Sequence, residues 1–138
     1  MVVSMLSVVA LTGCASNDQR ACPGSSKGSL EDWMDKFRTP IPPCGMSDAR
    51  FFVLNDMTSV LQFRFDGDKD CIGEYLTALG ATSSDVIPVD LSRFRGCMGT
   101  GSGDADVFWL AAGSYETAAY RFEDGDSAAL FAEVRDLR

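Results

Sequence analysis

The sequence contains no histidine. Without an imidazole, the chain cannot build a Ser-His-Asp or Cys-His nucleophile system, a zinc site that uses histidine, or an imidazole proton shuttle. Mechanisms that depend on histidine are therefore excluded.

Basic residues are also few. The 138-residue chain has 12 Lys and Arg against 20 Asp and Glu, a net charge of -8. Such a surface repels phosphate backbones and anionic lipid headgroups, so we expect no nucleic-acid partner and no electrostatic docking to a membrane. With 46% hydrophobic residues, the length suits one domain.

No long hydrophobic run is present at the N-terminus. Residues 2–11 are uncharged and mostly apolar, which is the length of a signal-peptide core and too short for a membrane-spanning helix. We therefore predict a signal peptide over residues 1–13. Signal peptides usually begin with Lys or Arg, and because Val2 follows Met1 directly we expect translation to start upstream.

The hydrophobic run ends in Leu11-Thr12-Gly13-Cys14. This tetrapeptide resembles the lipobox of bacterial lipoproteins, and the whole chain resembles small uncharacterised lipoproteins of high-GC Gram-positive bacteria. The resemblance implies cleavage before Cys14, acylation of that cysteine, and a lipid-anchored protein on the extracytoplasmic face of the cell membrane. It implies a cellular location and no activity.

Four cysteines remain after Cys14, namely Cys22, Cys44, Cys71 and Cys97. An even number in a compartment that permits disulfides predicts two bridges, with three possible connectivities. We favour Cys22–Cys44 and Cys71–Cys97, because each pair brackets one structural unit. A zinc site is the rival, but no pair has C-x-x-C spacing, so we predict no metal and no cofactor.

Residues 14–28 are polar and rich in Ser and Gly, which predicts a flexible tether before a single domain over residues 29–138. Ser29 followed by Asp32 resembles a capping box, and apolar residues at helical spacing predict a short helix that ends near Arg38. Three prolines in residues 39–44 then require extended backbone.

Residues 49–68 and 105–126 share one plan, two aromatic-rich strands that end in an acidic turn. An amphipathic segment follows each copy, and the spacing of its apolar residues favours a helix. These residues are Ile72, Tyr75, Leu76 and Leu79 in the first copy, and Leu130, Phe131, Val134 and Leu137 in the second. The predicted fold is α+β, with two ββα units forming a four-stranded antiparallel sheet, helices on one face and a short N-terminal helix.

Side-chain alternation along these strands predicts that Arg64 and Arg121 both lie on the wetter face, opposite the helices. That face is a candidate binding surface. Residues 81–104 are a long connection with a Gly-rich second half, and residues 86–103 within it are an alternative binding surface.

The acidic turn at Asp66, Asp68 and Asp70 has the spacing that opens a calcium loop. Cys71 stands where the loop needs glycine and Thr77 where it needs glutamate, so the turn is better explained by Asp68 or Asp70 capping a helix.

The leading functional hypothesis is a non-enzymatic binding or interaction module, with its partner among proteins of the cell envelope. The alternatives are an enzyme that works through carboxylates and an envelope protein that binds a small ligand or a cation. An enzyme of that kind would need a cleft that holds carboxylates with perturbed pKa values.

Overall fold

A computed structural model describes residues 18–87, 89–101 and 104–138, and for residues 83–87 it describes only the backbone. The elements follow in the order α1 (Leu30–Lys36), β1 (Arg50–Asn55), β2 (Ser59–Asp68), α2 (Lys69–Leu79), β3 (Thr82–Ile87), β4 (Ala105–Ala112), β5 (Tyr115–Asp124) and β6 (Ser127–Asp136), with a single 3-10 turn over Gly96–Met98 between β3 and β4. Neither α1 nor α2 is long and apolar enough to cross a membrane, and the described part of the chain has no other helix that is.

The strands form one antiparallel sheet in the spatial order β1-β2-β6-β5-β4-β3. The last strand in the chain, β6, lies in the middle, between β2 and β5 over its whole length. It joins the β1–β2 hairpin to the β4–β5 hairpin.

The two faces of this sheet are covered differently. Both helices pack on one face, over a core that includes Leu61, Phe63 and Leu130. Residues 89–101 cross the other face over a smaller core around Phe131 and Met98. We call these the helix face and the loop face.

The first half of the chain follows the predicted plan. Ser29 caps α1 by accepting a hydrogen bond from the Asp32 amide at 3.1 Å. Hairpin β1–β2 and helix α2 follow, and Asp68 is the N-cap of α2, with its Oδ1 accepting from the Asp70 amide at 2.8 Å. The capping explanation of the acidic turn is therefore confirmed.

The second predicted helix is wrong, because the segment that holds Leu130, Phe131 and Val134 is strand β6. A central strand covered on both faces is apolar on both sides, so it loses the two-residue alternation that reveals a strand and can match a helical pattern. Gly125, with φ of 61°, opens the two-residue turn between β5 and β6. Glycine at the first position of a two-residue loop, here Gly125-Asp126, is a sequence signal for a hairpin.

The predicted four-stranded sheet with two ββα units is likewise wrong, since the sheet has six strands in the described residues and the second unit has no helix. Strand β3, predicted as the start of a long connection, forms an edge beside β4 with a register shift between Ser83 and Val86. The polar sequence Thr82-Ser83-Ser84-Asp85 concealed it.

The folded domain begins earlier than the predicted boundary at Ser29. The Cys22 amide donates to the Phe51 carbonyl at 2.7 Å, and the Phe51 amide donates to the Arg20 carbonyl at 3.0 Å. The Ser26 amide continues this contact on the Val53 carbonyl at 2.9 Å. Residues 18–28 thus cover the outer edge of β1, and any tether that starts at Cys14 is short. The predicted signal peptide and the lipobox cysteine lie outside the described residues.

Two disulfides are present, but the favoured connectivity is wrong. Cys22 is bonded to Cys97, and Cys44 is bonded to Cys71, each with a Cα–Cα distance of 5.8 Å. The first ties the N-terminal segment to the 3-10 turn on the loop face. The second ties the proline-rich segment to the first turn of α2. Both pairings depend on contacts across the fold, which local brackets in the sequence do not contain.

Candidate functional site

Arg64 lies on the face opposite the helices, as predicted, but that face is not open there. Its Nη1 donates to the Met98 carbonyl at 2.7 Å, its Nε donates to Asp66 at 3.0 Å, and its guanidinium stacks 4.7 Å above the Phe131 ring. These contacts hold residues 98–100 against the sheet. The described geometry gives Arg64 a structural role under the loop.

Arg121 lies on the helix face, so the predicted surface shared with Arg64 is wrong. In the β5–β6 register Arg121 is opposite Leu130, a residue of the helix-face core. Its guanidinium contacts Asp106 at 2.7 Å and Glu123 at 3.4 Å. The two Phe-Arg-Phe and Tyr-Arg-Phe motifs look equivalent, but their strands enter the sheet in registers that put the arginines on opposite faces.

A buried polar cluster fixes the loop over the sheet. Gln62 and Glu133, both almost fully buried, face each other across β2 and β6, and the Gln62 Nε2 donates to Glu133 at 2.8 Å. The same amide group donates to the Arg93 carbonyl at 2.8 Å and accepts from the Arg95 amide at 3.2 Å. Arg135 donates to the other oxygen of Glu133 at 2.7 Å. Residues 86–103, the alternative binding surface, are therefore pinned to the sheet over residues 93–98.

A cavity of about 300 Å³ opens on the helix face, where neither helix covers the β4–β5 hairpin. The end of α1, the end of α2 and this hairpin form its walls. Its apolar lining includes Phe37, Leu79 and Leu110, and its polar lining includes Arg38, Thr117 and Arg138. A size of this order lies at the lower end of the range for small-molecule sites.

Arg38 stands at an unusual backbone position beside this cavity. It is the one non-glycine residue with positive φ, 53°, in the described part of the chain. Its amide donates to the Asp35 carbonyl at 3.0 Å and the Thr39 amide donates to the Met34 carbonyl at 2.8 Å, which is the Schellman ending of α1. Glycine is usual there, because a side chain in the left-handed region costs about 1–2 kcal/mol.

The guanidinium of Arg38 is exposed and makes no hydrogen bond or ion pair with the other described residues. Arg138, in contrast, is engaged. It contacts Asp136 at 2.7 Å and donates to the Tyr115 hydroxyl at 3.0 Å. The hydrogen bonds that Arg138 donates lower the pKa of Asp136 to about 2.

Thr117 contributes a hydroxyl to the cavity wall. The residue is 8% exposed, and no described residue forms a hydrogen bond with its Oγ1. The Tyr115 hydroxyl is occupied, because it donates to the Lys36 carbonyl at 3.1 Å and accepts from Arg138. The cavity thus presents one free cation and one free hydroxyl over an apolar floor.

Among the described residues, each carboxyl group with a shifted pKa has a pKa below its ordinary value. Hydrogen bonds from Arg20 hold the pKa of Asp18 and of Glu31 below the ordinary range, and the Ser92 amide does the same for Asp90. These are groups kept ionised by donors, whereas a general acid at neutral pH needs a raised pKa. Among the residues described, no three acids or cysteines converge on a possible metal position.

Comparisons of the chain with protein-family models, with curated proteins and with solved structures give no significant match. The assignment of the cavity as a candidate site therefore rests on its geometry alone. Arg38 and Thr117 were not among the predicted site residues, because they come together only when the end of α1 packs against β5. The sequence carries a weak signal for Arg38, a non-glycine residue just after a helix end and two residues before Pro40.

Proposed function

We propose that the protein is a lipid-anchored, extracytoplasmic binding module of the cell envelope. The observation that carries the proposal is the use of the cysteines. Cys22, Cys97, Cys44 and Cys71 are all consumed in two disulfides of the domain, which leaves Cys14 of the lipobox-like sequence as the single cysteine available for acylation. Disulfides persist in oxidising compartments, where lipoproteins are displayed.

The order of the N-terminal segment supports a close attachment to the membrane. Asp18 is already hydrogen-bonded to the domain, since its Oδ2 accepts a hydrogen bond from the Leu30 amide at 3.0 Å. Three residues lie between Cys14 and Asp18, and the four steps from one Cα to the next span at most about 14 Å. In this proposal the lipid holds the domain at the membrane surface, so a partner or ligand is met within the first layer of the envelope.

Binding is favoured over catalysis by the chemistry of the described groups. The shifted carboxyl groups are all held ionised by donors, and the cavity of about 300 Å³ has no carboxylate in its lining. The cavity supports the small-ligand form of the proposal, whereas the pinned loop face offers less to an adaptable protein partner.

Labelling with an alkyne analogue of palmitate, in a bacterium that processes lipoproteins, tests the anchor. The native chain should take up label and fractionate with the membrane. Cys14→Ser should take up none, and should be released or remain as an uncleaved precursor. Cys22→Ser/Cys97→Ser is the matched control, because it removes two other cysteines and should keep the label. Label in Cys14→Ser would refute the anchor.

A further inference from the structure

We propose that the helix-face cavity binds a small organic monoanion, a carboxylate carried on a compact apolar body. The carboxylate meets Arg38 and Thr117, and the apolar body lies on the floor formed by Phe37, Leu79 and Leu110. This ligand class deepens the binding module proposed above and rests on it, although binding in the cavity does not require the lipid anchor.

The charge of the lining supports an anion. Eleven residues line the cavity, and they include two arginines but no aspartate or glutamate. The chain as a whole has 20 acidic and 12 basic residues, so this lining opposes the overall balance. A cation would be repelled by the two arginines, and the carboxylate of Asp136, which contacts Arg138 of the lining, is already paired with it.

The number of free donors supports a single negative charge. Arg138 is committed to Asp136 and Tyr115, so one guanidinium, that of Arg38, is left without a partner among the described residues. A guanidinium with a carboxylate forms paired, charge-assisted hydrogen bonds. The Thr117 hydroxyl is a second donor, because it lies in the cavity lining and no described residue forms a hydrogen bond with it.

The volume and the floor set the body of the ligand. About 300 Å³ is ten times the roughly 30 Å³ that a water molecule takes up in the liquid, which suits a ligand of about ten non-hydrogen atoms. Phe37, Leu79 and Leu110 offer apolar contact and no further hydrogen bonds from their side chains. A short aliphatic or a monocyclic aromatic carboxylate meets both conditions.

The backbone of Arg38 gives an independent reason to assign it to binding. With φ of 53° at a helix-ending position, this residue is strained where glycine is unstrained. Strained residues that a fold retains mark functional positions. The position therefore separates the two roles: a change to glycine should relieve the backbone and at the same time remove the anion contact.

The test is a titration of the isotopically labelled, oxidised full chain carrying Cys14→Ser, with hexanoate and benzoate as probes. Amide NMR signals of residues 38, 114 and 117 should shift with dissociation constants of about 1 mM or tighter. Hexanamide should bind at least about tenfold more weakly than hexanoate, because it lacks the charge. Hexylamine should not bind.

Two substitutions identify the residues. Arg38→Gln should weaken hexanoate at least about tenfold, whereas Arg50→Gln, which changes the net charge equally on exposed strand β1, should leave the affinity within about twofold. Thr117→Val, nearly equal in shape, should weaken binding about threefold to tenfold and leave the fold intact.

Arg38→Gly tests the separation of roles, since it should keep or raise the melting temperature while it weakens hexanoate at least about tenfold. The proposal is overturned if neither carboxylate shifts these amides, if hexanamide equals hexanoate, or if Arg38→Gln and Arg50→Gln bind alike. None of these outcomes depends on palmitate labelling, so the ligand class and the anchor can fail separately.

Discussion

The two faces of the sheet are held by different kinds of contact. On the helix face α1 and α2 bury a large apolar core, and Cys44–Cys71 closes a short stretch of chain, with a sequence separation of 27. On the loop face a smaller core is supplemented by the Gln62–Glu133 cluster, and Cys22–Cys97 spans a separation of 75. The loop, which has little regular structure, is thus held on the sheet by polar contacts and a long-range disulfide. The helices are held on their face mainly by the apolar surface that they bury.

The largest effect should come from the long-range disulfide. Cys22→Ser/Cys97→Ser should lower the free energy of unfolding by about 4.5 kcal/mol, and Cys44→Ser/Cys71→Ser by about 3.5 kcal/mol, because the chain-entropy cost grows with the loop that is closed. Denaturant unfolding of both double variants measures the difference. Equal losses would show that the apolar cover of each face, and not loop length, decides the cost.

The same contrast explains which parts of the fold the sequence could predict. The α1 cap at Ser29, the β1–β2 hairpin and α2 with its Asp68 cap depend on neighbours in the chain, and each was predicted. Strand β6 was missed because its apolar residues serve two faces at once, so its pattern reflects the tertiary environment.

The site was harder to predict than the fold. Arg38 and Thr117 lie 79 positions apart, and neither belongs to a motif. Arg64 and Arg121 do belong to a repeated motif, but the prediction that they share one face was wrong, because the strand register places them on opposite faces. A motif gives local geometry, but the sheet decides which residues share a surface. The predicted disulfide pairing was wrong for the same reason, because it was based on neighbours in the chain.

Neighbouring residues of β6 allow the two cores to be compared directly. Leu130 faces the helices and Phe131 faces the loop, and both are fully buried. Phe131→Ala should cost about 3–5 kcal/mol and Leu130→Ala about 2–5 kcal/mol. Hydrogen exchange should show faster opening of residues 94–99 in the first variant and of α2 in the second. Opening of both regions in both variants would mean that the two cores unfold as one unit.

The polar cluster should have a smaller and local effect. Gln62→Leu leaves the Arg95 amide and the Arg93 carbonyl without their described partner and removes one donor to Glu133. An unsatisfied buried group costs about 1–3 kcal/mol, so we expect about 2 kcal/mol. Val60→Leu, on the same strand and face but half-buried, is the control and should change stability little. A cost below about 0.5 kcal/mol for Gln62→Leu would show that the disulfide, the Arg64 contacts and the apolar core hold the loop without this cluster.

The smallest effect should appear at the N-terminal segment, and it should depend on pH. Arg20 lowers the pKa of Asp18 and of Glu31 in the folded state, so the unfolded state binds more protons in acid. Their contribution to stability is complete above the pKa values of the unfolded state, about 4, and is lost as pH falls through the lower pKa values of the folded state.

Asp18→Asn should cost about 1 kcal/mol at pH 7 and less at pH 3. Unfolding curves at both pH values measure this, with Asp48→Asn, which changes an exposed carboxylate that has no partner among the described residues, as control. If the cost of Asp18→Asn is as large at pH 3 as at pH 7, the charge of Asp18 contributes nothing, and residues 18–28 are held at the outer edge of β1 by their other contacts, which include the backbone hydrogen bonds and Cys22–Cys97.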